Sequence, residues 1–445
     1  MKKRWLRGAA AAALAGLMLT GCSMPKTSID SLLAPPRLND EQSDIYAALV
    51  RETGADIRLL YPQKGSNRSA FLITNLDGEA TPEALVFYQS AASGVSGTVR
   101  LNVLDKQEDR WVSVNDLALD GSQVEDVTLM NVGTGAPMVA VGLNYAGDGA
   151  SLLKIFSFNG KTMDVICSES YLAKIVFDMD SDDQDEAILV SQMEGGLSMK
   201  AKALTYANGR FRPTSTASMD PSITRYVRIQ AGYLKNGKKA VYLDGYRGST
   251  LMTTEILGYE KTSLGGRIVN LTYDPMEEPK RYPVDRPPGA YTYDTNNDSV
   301  LEVPGLTLMP GYSEEMTSVF YLTDWYNFLD GEFVKLKSSY VNSAQGYLLD
   351  FPEEWIGRVS VRKTSQANEM MFYEYQEGDD PVRNVLLYIL MAKRSDWEAG
   401  KYKDYQIINS SGGGQIVYLA KIPDTAPYVL RMTLTRVKER FSRYY

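Results

Sequence analysis

One corner recurs along this chain. "FDMDSDDQDEAILV" (177–190) packs six acids into the nine residues from Asp178 to Glu186, then runs straight into Ile188, Leu189 and Val190. With Asp178 as position one, Asp180 and Asp182 fall at three and five, Gln184 at seven and Glu186 at nine. "YDTNNDSVLEVPGL" puts Asp294, Asn296, Asp298, Val300 and Glu302 in the same register. "TNLDGEATPEALVFY" is a looser copy, with Asn75, Asp77, Glu79 and Glu83. "NVGTGAPMVAVGL" near 131–143 and "GYLKNGKKAVYLDG" near 232–245 keep the outline without the acids. The five corners end near residues 83, 138, 186, 239 and 302. Such spacing, roughly 50–60 residues, marks a repeated unit whose apolar surfaces only its neighbours can cover.

The unit can be read locally. Each corner leads into an apolar, β-rich strand: "ALVFY", "MVAVGL", "AILV", "AVYL", "LEVPGL". A hairpin follows, as in "KIFSFNGKTMDVI", "KALTYANGRFRPT" and "WYNFLDGEFVKL". Asn159-Gly160, Asn208-Gly209 and Asp330-Gly331 predict tight turns, because a type I′ turn needs positive φ at both central residues. Units of this kind stack radially or linearly, and radial closure leaves fewer exposed edges. The expected fold is mainly β: a β-propeller of about six blades, range five to seven, across residues 41–340, followed by a small α+β domain at 341–445. "LNDEQSDIYAALVRETG" predicts a short helix before the first blade, ending at Gly54. "TLTRVKERFSRYY" predicts a terminal helix with Leu434, Val437 and Phe441 on one face. Trp325, Tyr326 and Phe328 could stack on a sugar or peptide, but inter-blade core is the simpler reading.

The start of the chain carries Lys2, Lys3, Arg4 and Arg7, then "AAAAALAGLML" and Leu19-Thr20-Gly21-Cys22. A basic start, a short apolar run and small residues predict a signal peptide over residues 1–21. Residues 22–40 are polar, with Pro25, Pro35 and Pro36, and predict a tether. Loss of residues 1–21 removes four positive charges and moves the formal net charge from -8 to about -12. Nucleic acid needs a basic footprint and is excluded as a partner. The chain has no histidine, which removes Ser-His-Asp and Cys-His catalysis. Carboxylate-pair chemistry survives. Beyond Cys22 only Cys167 remains, so no internal disulfide is expected.

Three resemblances follow from these residues. Leu19-Thr20-Gly21-Cys22 resembles the bacterial lipobox, which implies lipidation of Cys22 and anchoring to the cell membrane on the extracytoplasmic face. The corner-plus-strand unit resembles the FG-GAP/VCBS propeller repeat of integrin α-subunit heads and bacterial surface proteins. That resemblance implies a structural Ca²⁺ held by Asp178, Asp180, Asp182, Gln184 and Glu186, and a second by Asp294, Asn296, Asp298, Val300 and Glu302. The sequence departs from the family at position six, where Asp183 and Ser299 replace Gly. A solvated acidic turn kept for its own side-chain-to-backbone bonds is the plainer alternative. "GYLLDFPEEW" resembles the opening of PsbP-like and Mog1-like sandwiches and implies a fold only.

The expected role is therefore a non-catalytic, lipid-anchored envelope protein that presents a propeller platform to a protein or polysaccharide partner. A carboxylate-dependent polysaccharide enzyme and a solute-binding lipoprotein are the alternatives.

Overall fold

The computed structural model describes residues 38–90, 97–144, 151–193, 195–196, 198–263, 265–277, 282–378 and 384–444. The expected signal peptide, most of the tether and Cys22 lie outside them. The chain is mainly β, in six antiparallel sheets.

Helix α1 (Asp40–Thr53) opens the fold. Asn39 caps it: its Oδ1 accepts from the Gln42 amide at 2.7 Å, while Gln42 Oε1 accepts from the Asn39 amide at 3.2 Å. It stops at Gly54, where φ is 82°. Sheet one holds β1 (Ile57–Leu59), β2 (Phe71–Thr74), β3 (Glu83–Ser90), β4 (Arg100–Gln107) and β5 (Arg110–Ala118), with β1 and β2 sharing one edge of β3. Sheet two runs β6 (Gln123–Met130), β7 (Met138–Asn144), β8 (Ser151–Phe158), β9 (Met163–Tyr171). Sheet three runs β10 (Ala173–Phe177), β11 (Glu186–Gln192), β12 (Met199–Ala207), β13 (Arg210–Ser218). Sheet four runs β14 (Ile223–Tyr233), β15 (Lys239–Arg247), β16 (Leu251–Thr262), β17 (Gly265–Asn270). Sheet five holds β18 (Val303–Leu308), β19 (Tyr321–Leu329), β20 (Glu332–Asn342) and β21 (Tyr347–Asp350). Sheet six orders β22 (Val359–Lys363), β23 (Glu369–Glu374), β24 (Val385–Lys393), β26 (Ile416–Lys421) and β25 (Gln406–Ser410). Helices α2 (Arg394–Glu398) and α3 (Leu434–Arg440) accompany it, and β27 (Phe441–Arg443) pairs back onto β21.

The sheets pack face to face in chain order, which explains the unbroken apolar runs. In β11, Ala187 and Leu189 face sheet two, while Ile188 and Val190 face sheet four. In β7, Met138 and Ala140 face sheet three, while Val139, Val141 and Leu143 face sheet one. A strand covered on both faces has no polar side to alternate with. Sheet one has a second face too. There Ala84, Val86 and Tyr88 meet Ile45 and Leu49 of α1, so the helix caps the stack. At the other end Leu349 of sheet five and Phe372 of sheet six share one core with Val437 of α3. The first strands of sheets two, three and four, β6, β10 and β14, lie side by side, with β10 between the other two.

Several local expectations change. Asn208-Gly209 and Asp330-Gly331 do form two-residue turns with positive φ at both positions. At Asn159-Gly160 only the glycine has positive φ. Asn159 Oδ1 instead accepts from the Lys161 and Thr162 amides, each at 3.0 Å, which opens the loop to four residues. The terminal helix is shorter than its apolar spacing suggests. Val437 and Phe441 are buried, but Phe441 already belongs to β27 and stacks on Tyr347 at 5.2 Å. Residue 340, the expected domain boundary, falls inside β20, and both β20 and β27 pair with β21. Trp325 and Phe328 are core residues.

Candidate metal centre

The three acid-bearing corners share one construction. The residue before position one pairs with position nine in each: Thr74 with Glu83, Phe177 with Glu186, Tyr293 with Glu302. The position-nine carboxylate then accepts from the position-two amide: Leu76 at 2.6 Å, Met179 at 2.9 Å, Thr295 at 2.9 Å. Position one folds the loop onto itself. Asp178 accepts from the Ser181 and Asp183 amides at 2.7 and 3.3 Å, and Asp294 from the Asp298 and Ser299 amides at 3.2 and 2.9 Å. Position six has φ of 66° at Asp183 and 68° at Ser299, the left-handed geometry that glycine adopts most readily. Asp178 and Asp294 therefore sit in equivalent settings.

The corners differ in what their carboxylates face. Asp178, Asp180 and Glu186 bring one oxygen each within 4.8 Å of one another, the one such convergence of acidic or cysteine groups among the described residues. Asp180 Oδ1 is buried and has no hydrogen-bond partner. Tyr259 of sheet four also meets the Asp180 carboxylate, and burial, followed by a side-chain hydrogen bond to Asp180, pushes its hydroxyl up to about 12. Burial pushes the Glu186 carboxyl up to about 7, with Asp180, Asp182 and Asp178 adding repulsion. Three such oxygens suit a hard divalent cation, which takes carboxylate, carbonyl and water ligands.

The other expected ligands are placed differently. Asp182 does not join the triad: its Oδ1 accepts from the Gln184 amide at 2.9 Å, and its Oδ2 from Gln184 Nε2 at 3.3 Å. In the Asp294–Glu302 corner Asp298 accepts from the Val300 amide at 2.9 Å, Asn296 Nδ2 donates to Asp298 Oδ2 at 3.1 Å, and buried Glu302 accepts from Asn327 at 2.9 Å. In the Asn75–Glu83 corner, Asp77 accepts from the Glu79 amide at 2.9 Å.

Sequence reasoning missed the partners that neighbouring corners supply. Lys239, at the end of the fourth corner, puts its ammonium 2.8 Å from Asp178 Oδ2 and 2.6 Å from the Asp178 carbonyl oxygen. Burial would raise the Asp178 carboxyl, but Lys239 and the loop amides hold it below its usual value. Asn131, position one of the second corner, donates Nδ2 to the Asp183 carbonyl at 2.7 Å and its amide to Asp185 at 2.8 Å. The Tyr233 amide donates to the Ser299 carbonyl at 3.0 Å. Corners two to five are thus laced together. The signal was present for Asn131, which keeps the position-one amide in an eroded copy.

A different acid tests how burial alone acts. Glu255 of β16 is almost fully buried and accepts from Tyr226, from the Asp220 amide at 2.9 Å and from Asn270 at 2.5 Å. Burial outweighs these bonds and pushes its carboxyl up to about 7. Between the unfolded value near 4.3 and 7 the folded chain binds the extra proton, so this group's contribution falls as pH rises through that window. Glu255→Gln is expected to be more stable than the parent by about 1–3 kcal/mol at pH 8 and nearly unchanged at pH 4.5. Urea melts at the two pH values measure this, and an equal shift at both would refute it.

No family model and no curated protein matches the chain. Among solved structures, a crystal structure of a protein from Lactobacillus plantarum is similar over 72% of this chain and 92% of its own, at 9% identity and a TM-score of 0.29. A likeness at that score bears on neither fold nor activity.

Proposed function

We propose that the chain is a non-catalytic, lipid-anchored binding protein of the bacterial cell envelope, with its first five sheets arranged as propeller-type blades around β6, β10 and β14. In this reading α1 occupies the face of sheet one where a closing blade would otherwise pack. Calcium fills the Asp178–Glu186 corner and holds it rigid, and the Asp294–Glu302 corner is its weaker counterpart. The observation that carries the reading is the shared register of the three acidic corners, Thr74–Glu83, Phe177–Glu186 and Tyr293–Glu302. A periodic scaffold with laced corners offers a stiff rim on which loops can vary to meet a partner.

The anchor rests on Cys22 and the residues before it. No helix among the described residues is long and apolar enough to cross a membrane. The polysaccharide-enzyme reading has one point in its favour, since Glu125 and Asp126 lie together on the inner strand β6. However, Glu125 suits the role of general acid poorly. Burial would raise its carboxyl, yet bonds from Lys64 and Tyr171 outweigh that and hold it low. Lysine 174 likewise grips Asp126 at 2.7 Å. Burial pushes the Cys167 thiol up to about 11, away from the thiolate that a nucleophilic cysteine uses.

Capture of the lipidated protein from its own envelope, with and without chelator, tests this function. One stoichiometric partner, released when calcium is removed, is the expected result. Cleavage of a cell-wall or capsular glycan by the purified chain would overturn it.

A further inference from the structure

Strands β6, β10 and β14 line a half-open cavity that the acidic corners do not use. It has a volume of about 390 Å³, within the range of small-ligand sites. We propose that it binds an uncharged, hydroxyl-rich ligand of one or two sugar rings. This deepens the envelope-binding reading, on which it rests, by making the partner a glycan.

The charges decide the ligand class. Lys174 of β10, its side chain almost fully buried, reaches both oxygens of Asp126, at 2.5 and 2.7 Å. Lys64 reaches Glu125 Oε1 at 2.6 Å, and Tyr171 donates to Glu125 Oε2. The two ammoniums and two carboxylates cancel. An ionic ligand would unbalance a partly buried network, which costs more than the contact returns. A purely apolar ligand would strip water from four charged groups and replace none of its bonds. Hydroxyl groups fit: each carboxylate oxygen has capacity for a second donor, and an ammonium can donate three bonds. The same lining includes Leu172, Ile175, Val227 and Ile229, whose aliphatic surface suits the apolar face of a sugar ring. Arg228 also lines the cavity and adds a third positive charge, but its guanidinium is engaged outside the lining, donating to Gln230 at 2.9 Å and lying over the Tyr291 ring.

The floor is built in place. A Cβ on Gly142 would come within 2.5 Å of Asp126 Oδ1 and 2.7 Å of the Tyr171 hydroxyl, so the network lies directly on that glycine. Lys64 is held at the mouth by its own backbone, whose amide donates to the Glu125 carbonyl at 2.7 Å.

Titration calorimetry on the full chain carrying Cys22→Ser tests the proposal, with cellobiose, maltose and N,N′-diacetylchitobiose as probes and glucuronate and glucosamine as charged controls. At least one neutral disaccharide is expected to bind with a Kd near or below about 1 mM. Val227→Trp fills the cavity from a partly exposed wall position and is expected to weaken that binding by roughly tenfold or more at unchanged melting temperature. Lys64→Met, at the exposed mouth, is expected to weaken it less. No neutral sugar binding, preference for a charged control, or binding that survives Val227→Trp overturns the proposal. The partner capture above is read separately: sugar binding without a captured envelope partner keeps this site and rejects the platform, and the converse rejects this site alone.

Discussion

Chelating divalent cations is expected to lower the melting temperature of the purified protein by about 5 °C, and millimolar calcium to restore it. A cation at one hundred times its Kd contributes about 2.7 kcal/mol to the form that binds it, and large domains shift by about 2–4 °C per kcal/mol. The effect should centre on the Asp178–Glu186 corner. There three carboxylate oxygens converge, one Asp180 oxygen is buried without a partner, and Glu186 is forced towards its neutral form. A divalent ion relieves all three conditions at once. Asp180→Asn should abolish the calcium response while leaving the chelated protein as stable as the chelated parent or slightly more so, because it removes one of the repelling charges. Asp298→Asn, in the Asp294–Glu302 corner, should change the response only slightly, since Asp298 is already engaged by the Val300 amide. Differential scanning calorimetry with and without chelator measures both variants. A parent melting temperature indifferent to calcium would mean that Lys239 and the loop amides close the corner without a metal.

What was legible in the sequence has a physical pattern. The Asp178 and Asp294 corners could be read because every determinant is local: an acid at position one, positive-φ residues at four and six, an acid at nine, then an apolar strand. The strand itself was legible because it is covered on both faces, which leaves an unbroken hydrophobic run. Sheet five was harder to place. The strand that should precede its corner, as β10 does in sheet three, is reduced to the single Tyr293–Glu302 bridge, too short to leave a periodic trace. The turn at Glu108-Asp109 has positive φ at both residues but no glycine to announce it. The end of α3 was missed because Phe441 satisfies helical spacing and strand pairing equally well, and only its pairing with Leu349 decides. Most of the candidate functional surface lay beyond local reading. Lys239 meets Asp178, Lys174 meets Asp126 and Tyr171 meets Glu125 across about 50 to 60 residues, one repeat away, where spacing within a segment has nothing to say.

Repeat-to-repeat coupling reaches its strongest form at Arg286, and substituting it gives the largest stability change expected here. Its guanidinium is fully buried, with Nη2 at 2.8 Å from Asp244 Oδ1, Nε donating to the Ala290 carbonyl at 2.8 Å and Nη1 to the Val284 carbonyl at 2.9 Å. Asp244 also accepts from the Thr292 amide at 2.9 Å and from the Thr254 and Thr292 hydroxyls, each at 2.7 Å. Burial pulls the Arg286 value down and Asp244 pulls it back up, so the charge depends on its partner. Arg286→Met leaves Asp244 in the core without its guanidinium partner, and the expected cost is about 3–5 kcal/mol. Asp244→Leu strands the guanidinium and should cost a similar amount. The double variant should cost clearly less than the two single losses added, because no unpaired charge remains. It should not return to the parent value, since the Thr292 amide and two hydroxyls lose their acceptor. Urea unfolding of all four proteins gives the coupling directly, and additive losses, or single losses below about 1 kcal/mol, would show the pair to be dispensable. The pair also fixes the path of the chain into the second acidic corner. Arg286 pairs with Met252 through its backbone, and Thr292 lies two residues before Asp294. Loosening it should therefore release the Asp294–Glu302 corner to amide exchange well before sheets one to three unfold, whereas a merely local role would leave that corner protected.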